Sequence, residues 1–105
     1  MSNERPVIVC LCGSTRFMSV FHEIAARETL ANKIVVGPAC VTTQSGQEID
    51  LEIKRRLDEL HKRKIELADE VFIVNVGGYI GSSTRGEIAY ARQLGKPIYW
   101  LEEVY

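Results

Sequence analysis

Glu87 has the setting that most invites chemistry. It follows a glycine-rich loop, Gly77-Gly78-Tyr79-Ile80-Gly81, and a hydroxyl-rich helix start, Ser82-Ser83-Thr84, with Gly86 immediately before it. A carboxylate just past such a loop can serve as a nucleophile on a ligand that the loop and the helix amides hold. Thr84-Arg85-Gly86-Glu87 also fits a capping box, in which the glutamate reaches back to the cap residue's amide, so a structural role accounts for the same residues. Gly86 favours chemistry: in a first helical turn glycine costs up to ~1 kcal/mol relative to alanine, and its missing side chain clears room beside Glu87. Tyr79 supplies a ring that could cover another ring.

A second group sits near the amino terminus in Cys12-Gly13-Ser14-Thr15-Arg16-Phe17. Gly13 lets the backbone approach a ligand, the hydroxyls of Ser14 and Thr15 can face an anion, and Arg16 is a planar cation suited to forked contact with phosphate. Equally, Ser14 or Thr15 caps a helix and Arg16 is a solvated surface residue. The segment is not a Walker loop, since it lacks the Gly-Lys-Ser/Thr ending. Asn75 falls at the carboxyl end of an apolar run, where ligands bind in α/β folds, whereas Asp69 enters from the opposite edge and orders a helix-to-strand turn. His61 lies beside an apolar helical stripe and reads either as a packing residue or as a group facing the site.

These residues need elements to position them. Val7 to Leu11 is a continuous β-branched apolar run, as in a central parallel strand covered on both faces. Phe17 to Ala31 has helical apolar spacing, Ile34 to Val36 is a second strand, and Glu48 to Ala68 is a long helix laced with favourable charge pairs. Glu70 to Asn75 is a third strand, and a helix from Ser83 or Thr84 to Leu94 carries Glu87 in its first turn, with Gly95 at its end. Ile98 to Leu101 is a fourth strand. The small polar segment Ala39 to Gln47 is a plain connector or a pocket-lining loop. Strands alternating with helices predict an α/β fold of three layers, with a four-stranded parallel sheet in the order 2-1-3-4 and helices on both faces. That order sets the Gly13 to Arg16 loop against the Gly77 to Glu87 segment across the switch point.

The chain's 105 residues make one domain, and its net charge of −1 carries no basic surplus for binding a nucleic acid polymer or a membrane surface. No signal peptide or membrane-spanning run is present, which places the chain in the cytoplasm. Cys10, Cys12 and Cys40 form no Cys-x-x-Cys pair. Cys10 and Cys12 share one strand face and read as small packing hydrophobes, and the absence of zinc-type spacing predicts no metal site and no cofactor.

The strand-Cys-Gly-Ser-x-Arg segment, Ala68-Asp69-x-Val71, Gly81-x-Ser83-Thr84-x-Gly86-Glu87-Ile88-x-Tyr90-Ala91 with Ser82 between, and Leu94-Gly95-Lys96-Pro97 together resemble the nucleoside 2-deoxyribosyltransferase superfamily, which includes nucleoside 5'-monophosphate N-glycosidases. The resemblance spans nearly the whole chain, and the glutamate motif is its specific part. It implies a flavodoxin-like, Rossmann-like fold, a homo-oligomer (dimer or tetramer) and a glutamate nucleophile at Glu87. It also implies that Gly13, Ser14, Arg16, Ser82 and Ser83, beside Gly81, hold a 5'-phosphate. Two positions depart from the family's pattern. Cys10 stands where a tyrosine is common, and His61 stands where an aspartate helps protonate the leaving base, with Asp58 nearly one turn earlier. The resulting expectation is cleavage or exchange of an N-glycosidic bond of a small-molecule nucleoside or nucleotide, with either His61 or Asp58 as acid, or else a divergent member with weak or no transferase activity. The alternative is a nucleotide-sensing module of the same fold in which Glu87 is only a cap.

Overall fold

The computed structural model describes residues 5–38 and 50–103. The expected connector 39–47, Cys40 within it, and the first two residues expected for the long helix lie outside the described residues.

Among the described residues four strands and three α-helices alternate: β1 (Ile8–Gly13), α1 (Met18–Leu30, entered through a 3-10 turn, Thr15–Phe17), β2 (Ile34–Val36), α2 (Leu51–Leu67), β3 (Glu70–Val74), α3 (Ser82–Gln93, after a 3-10 turn, Val76–Gly78) and β4 (Ile98–Trp100). The strands form one sheet in the order β2-β1-β3-β4, and all three pairings are parallel. This is the expected three-layer α/β arrangement. Apolar side chains alternate between two cores, as the two-residue period of a strand requires. Cys10, Cys12, Val71 and Ile73 pack on one face under Ile65 of α2 and Ile88 and Ala91 of α3. Val9, Leu11, Phe72 and Val74 pack on the other under Phe21 and Ile24 of α1.

Local chemistry sets where each helix begins and ends. The Asp50 carboxylate accepts from the amide of Ile53 at 2.8 Å and caps α2. Gly95, in the left-handed conformation at φ 72°, stops α3 and releases the chain into β4. Asp69 has the structural role expected of it. Its carboxylate accepts from Arg5 and, at 2.8 Å, from the amide of Ile8, tying the start of β1 to the turn before β3. The Arg5 hydrogen bond and then the Ile8 amide hold its pKa well below the usual carboxylate range.

Most element ends differ from the sequence expectation by a residue or two, and two of the differences bear on the site. β1 runs to Gly13 because Cys12 and Gly13 stay in register with Ile73 and Val74 of β3. α3 begins at Ser82 with Gly81 as its N-cap in extended conformation, and the amide of Arg85 closes the first turn on the Gly81 carbonyl at 3.0 Å. Thr84 is therefore a buried third helical residue rather than the cap, no side chain caps the helix, and Glu87 lies in the second turn.

The end of β1 works only with glycine. A Cβ on Gly13 would lie 2.8 Å from the Val74 carbonyl oxygen and 3.1 Å from the Phe21 ring. The strand would have to separate from β3. Gly13→Ala should therefore cost about 1–3 kcal/mol of unfolding free energy, measured by urea denaturation.

Candidate functional site

The carboxyl ends of β1 and β3 open into a cleft of about 340 Å³. One wall is the Gly13-Ser14-Thr15 turn after β1, and the facing wall is the start of α3, from Gly81 to Thr84. Lys54, Asp58 and His61 line it from α2, Tyr79 from the preceding loop, and Glu87 from the second turn of α3. Of the residues singled out in the sequence, Gly13, Ser14, His61, Gly81, Ser82, Ser83 and Glu87 thus meet around one cavity.

Arg16 and Asn75 are placed elsewhere. The Arg16 guanidinium is exposed and stacks 4.4 Å from the centre of the Tyr79 ring, which also meets Phe17 edge-on with centroids 6.0 Å apart. Arg16 belongs to the rim rather than the wall. Asn75 is buried, and its amide pairs with the backbone of Glu102: Nδ2 donates to the carbonyl at 3.0 Å, and Oδ1 accepts from the amide at 3.0 Å. It ties the end of β3 to the segment after β4. Ser14 combines the two roles open in the sequence, since its Oγ accepts from the Arg16 amide at 3.3 Å while the residue also lines the cleft.

Lys54 went unremarked in the sequence. It sits two turns before His61 on α2, so the heptad separation itself was the available signal. Its Nζ donates to Asp58 at 3.0 Å and to the Ser83 hydroxyl at 3.3 Å, which carries a cation to the mouth of the cleft beside the start of α3.

The inner end of the cleft is the electrostatic centre. The Glu87 side chain is 17% exposed, and among the described residues its Oε2 is a buried oxygen with no hydrogen-bond partner. Burial pushes its pKa up to about 7, against the opposing pull of His61. His61 Nε2 lies 3.6 Å from that oxygen, 3.2 Å from Cys12 Sγ and 3.8 Å from Cys10 Sγ. Burial alone would lower the His61 pKa, but its contacts with Cys10 and the charge of Glu87 outweigh burial and leave it raised. Within the cysteine pair, the hydrogen bond from Cys12 brings Cys10 down to about 6. The same bond, together with burial, pushes Cys12 well up.

The two thiol sulfurs and the imidazole lie within 4.8 Å of one another, a donor group that the search for zinc-type spacing did not find. Spacing along the chain concealed it because Cys12 and His61 are 49 residues apart and come from β1 and α2. The expectation of no metal ligation rested on that spacing and takes no account of this cluster.

A scan against protein-family models finds no match, and a search of curated proteins finds no relative.

A glutamate that folding forces towards the neutral form makes stability depend on pH. With its folded pKa raised from 4.5 to about 7, the stability Glu87 contributes is full below 4.5 and is lost as pH rises through 7. The neutral isostere escapes that loss. In metal-free buffer, Glu87→Gln should raise the unfolding free energy above about pH 8 by about 3 kcal/mol, with the gain fading as pH falls towards 4.5. Denaturant titrations across that range measure it.

Proposed function

We propose that the cleft cleaves or exchanges the N-glycosidic bond of a nucleoside or nucleoside 5'-monophosphate, with Glu87 as nucleophile. The observation that carries this reading is the Glu87 carboxylate, buried and without a hydrogen bond at Oε2 among the described residues, on the wall of a cleft that faces the Gly13-Ser14-Thr15 turn. A carboxylate with one oxygen withdrawn from water and hydrogen bonds is a stronger nucleophile than a fully solvated one, and a cleft of about 340 Å³ is of the size that small ligands fill.

In this reading Glu87 attacks the anomeric carbon as the bond to the base breaks. The bonding electrons leave with the base, which takes a proton from His61, and the sugar passes through an oxocarbenium-like state to an ester on Glu87. Water or a second base then attacks the same carbon and frees the carboxylate. The phosphate lies at the start of α3, where the free amides of the first turn and the hydroxyls of Ser14, Ser82 and Ser83 converge, with Lys54 close by. Tyr79 flanks the sugar or the base, and Arg16 guards the rim. Leu60 and Leu67, at 56% and 67% exposure on α2, offer apolar surface to a second copy of the chain, in keeping with a homo-oligomer. Among the described residues no helix is long and apolar enough to cross a membrane, and a cytoplasmic nucleotide enzyme accords with that.

The rival reading is a sensor that binds a nucleotide without turnover and uses Glu87 only as a helix cap. The position of Glu87 in the second turn of α3, with Gly81 as the N-cap, favours the reactive role. Chromatography of nucleosides and monophosphates incubated with the protein tests the choice. Free base should accumulate from at least one substrate, and Glu87→Ala should slow its release by about 10³-fold or more. The wild-type rate should climb as pH rises through about 7, where Glu87 loses its proton. Base release at the wild-type rate by Glu87→Ala refutes the mechanism, and ligand binding without base release supports the sensor.

A further inference from the structure

We propose that Cys10, Cys12, His61 and Glu87 form a tetrahedral site for a thiophilic divalent cation of the zinc type, and that filling it withdraws Glu87 from the reaction. The site stands on geometry alone; its effect on catalysis rests on the glycosidic reading above.

Zinc bound at ordinary distances sets the edges of its ligand tetrahedron at about 3.6 Å between a thiolate sulfur and an imidazole nitrogen, and at about 3.4 Å between imidazole and carboxylate. The distances from His61 Nε2 are 3.2 and 3.8 Å to the two sulfurs and 3.6 Å to Glu87 Oε2. The two sulfurs and the imidazole thus stand together, within 4.8 Å of one another, before a cation enters, while Glu87 Oε2 lies outside that trio, beside its imidazole, and closes on the cation by turning its side chain. Two thiols and an imidazole select zinc, or cobalt in its place, over magnesium, calcium or manganese.

The elements hold this arrangement firmly. Cys10 and Cys12 are alternate residues of β1 and face the same core, both fully buried. His61 comes down from α2 and Glu87 from α3. Glu87 Oε2 adds to the site: it is a buried oxygen without a hydrogen bond among the described residues, 3.6 Å from the imidazole of the thiol–imidazole group. His61 and Glu87 also line the cleft, so a cation reaches the site from solvent past the residues that would hold a substrate. On binding, the two thiols give their protons to the buffer, the imidazole binds through its neutral Nε2 and the carboxylate fills the fourth position. A Glu87 committed to the metal has no lone pair aimed at an anomeric carbon.

Titration of the reduced full chain with cobalt(II) tests the site without any substrate. One cobalt per chain should bind, with a thiolate-to-cobalt charge-transfer band and the intense visible bands of a tetrahedral ion, and zinc should displace it. Cys10→Ser and Cys12→Ser should each weaken the charge-transfer band, with circular dichroism establishing that the variants are folded. Cys40→Ser should leave it unchanged. Glu87→Gln should keep the thiolate band but weaken binding about tenfold or more, roughly 1.4 kcal/mol.

Weakly coloured octahedral cobalt without a thiolate band, or a band lost in Cys40→Ser, overturns the ligand set. Unaltered affinity in Glu87→Gln overturns the fourth ligand. Stoichiometric zinc should also stop base release and a chelator should restore it. Release that persists with the site spectroscopically filled overturns the switch while the site remains. If metal-free protein releases no base from any substrate and the spectra appear, the glycosidic reading fails and the metal site stands.

Discussion

The parallel pairing of β1 with β3 is the constraint on which the rest depends. Register from Val9 beside Glu70 through to Gly13 beside Val74 brings the ends of both strands to one level. It holds only while residue 13 lacks a Cβ, because the Val74 carbonyl occupies that space. From this one seam the Gly13-Ser14-Thr15 turn and the start of α3 are forced to face each other, and a cleft lies between them. The same pairing fixes Cys10 and Cys12 on the face covered by α2 and α3, which is how they come to meet His61.

Against that rigid frame, the inner end of the cleft is locally unfavourable. Among the described residues Glu87 Oε2 is buried without a hydrogen bond, 3.6 Å from an imidazole that also touches two buried thiols. Apolar packing around Val71, Ile73, Ile88 and Ala91 is dense and continuous, and it offsets the cost of desolvating Glu87. Buried charge of this kind is kept where chemistry or ligation makes use of it, and both proposed roles draw on the same oxygen. They differ in what approaches it: an electrophilic carbon from the cleft, or a cation seated among Cys10, Cys12 and His61.

The apolar runs gave the architecture away. Val7 to Leu11 and Val71 to Val74 are unbroken apolar runs, mostly of valine and isoleucine, which marks central parallel strands, and their alternation with helical stripes leaves few sheet orders. Seven of the nine expected site residues converge for the same reason, since strand ends determine where loops meet. Asn75 and Arg16 escaped because strand position says nothing about competing partners: the backbone of Glu102 claims one, and the Tyr79 ring claims the other. The capping box at Thr84 failed on a three-residue shift, because Gly81 in extended conformation starts the helix earlier than the hydroxyl pattern implies. The Cys10–Cys12–His61 cluster was invisible to linear spacing because its members are brought together by sheet and helix packing.

In the proposed reaction Glu87 forms a covalent bond to the sugar. Peptide mass spectrometry of metal-free protein, acid-quenched while turning over a nucleoside slowed by fluorine at the sugar 2' position, tests it most directly. A fluoropentose adduct is expected on the peptide that carries Glu87, absent in Glu87→Gln. Steady release of base with that peptide unmodified, or an adduct on another residue, would contradict it.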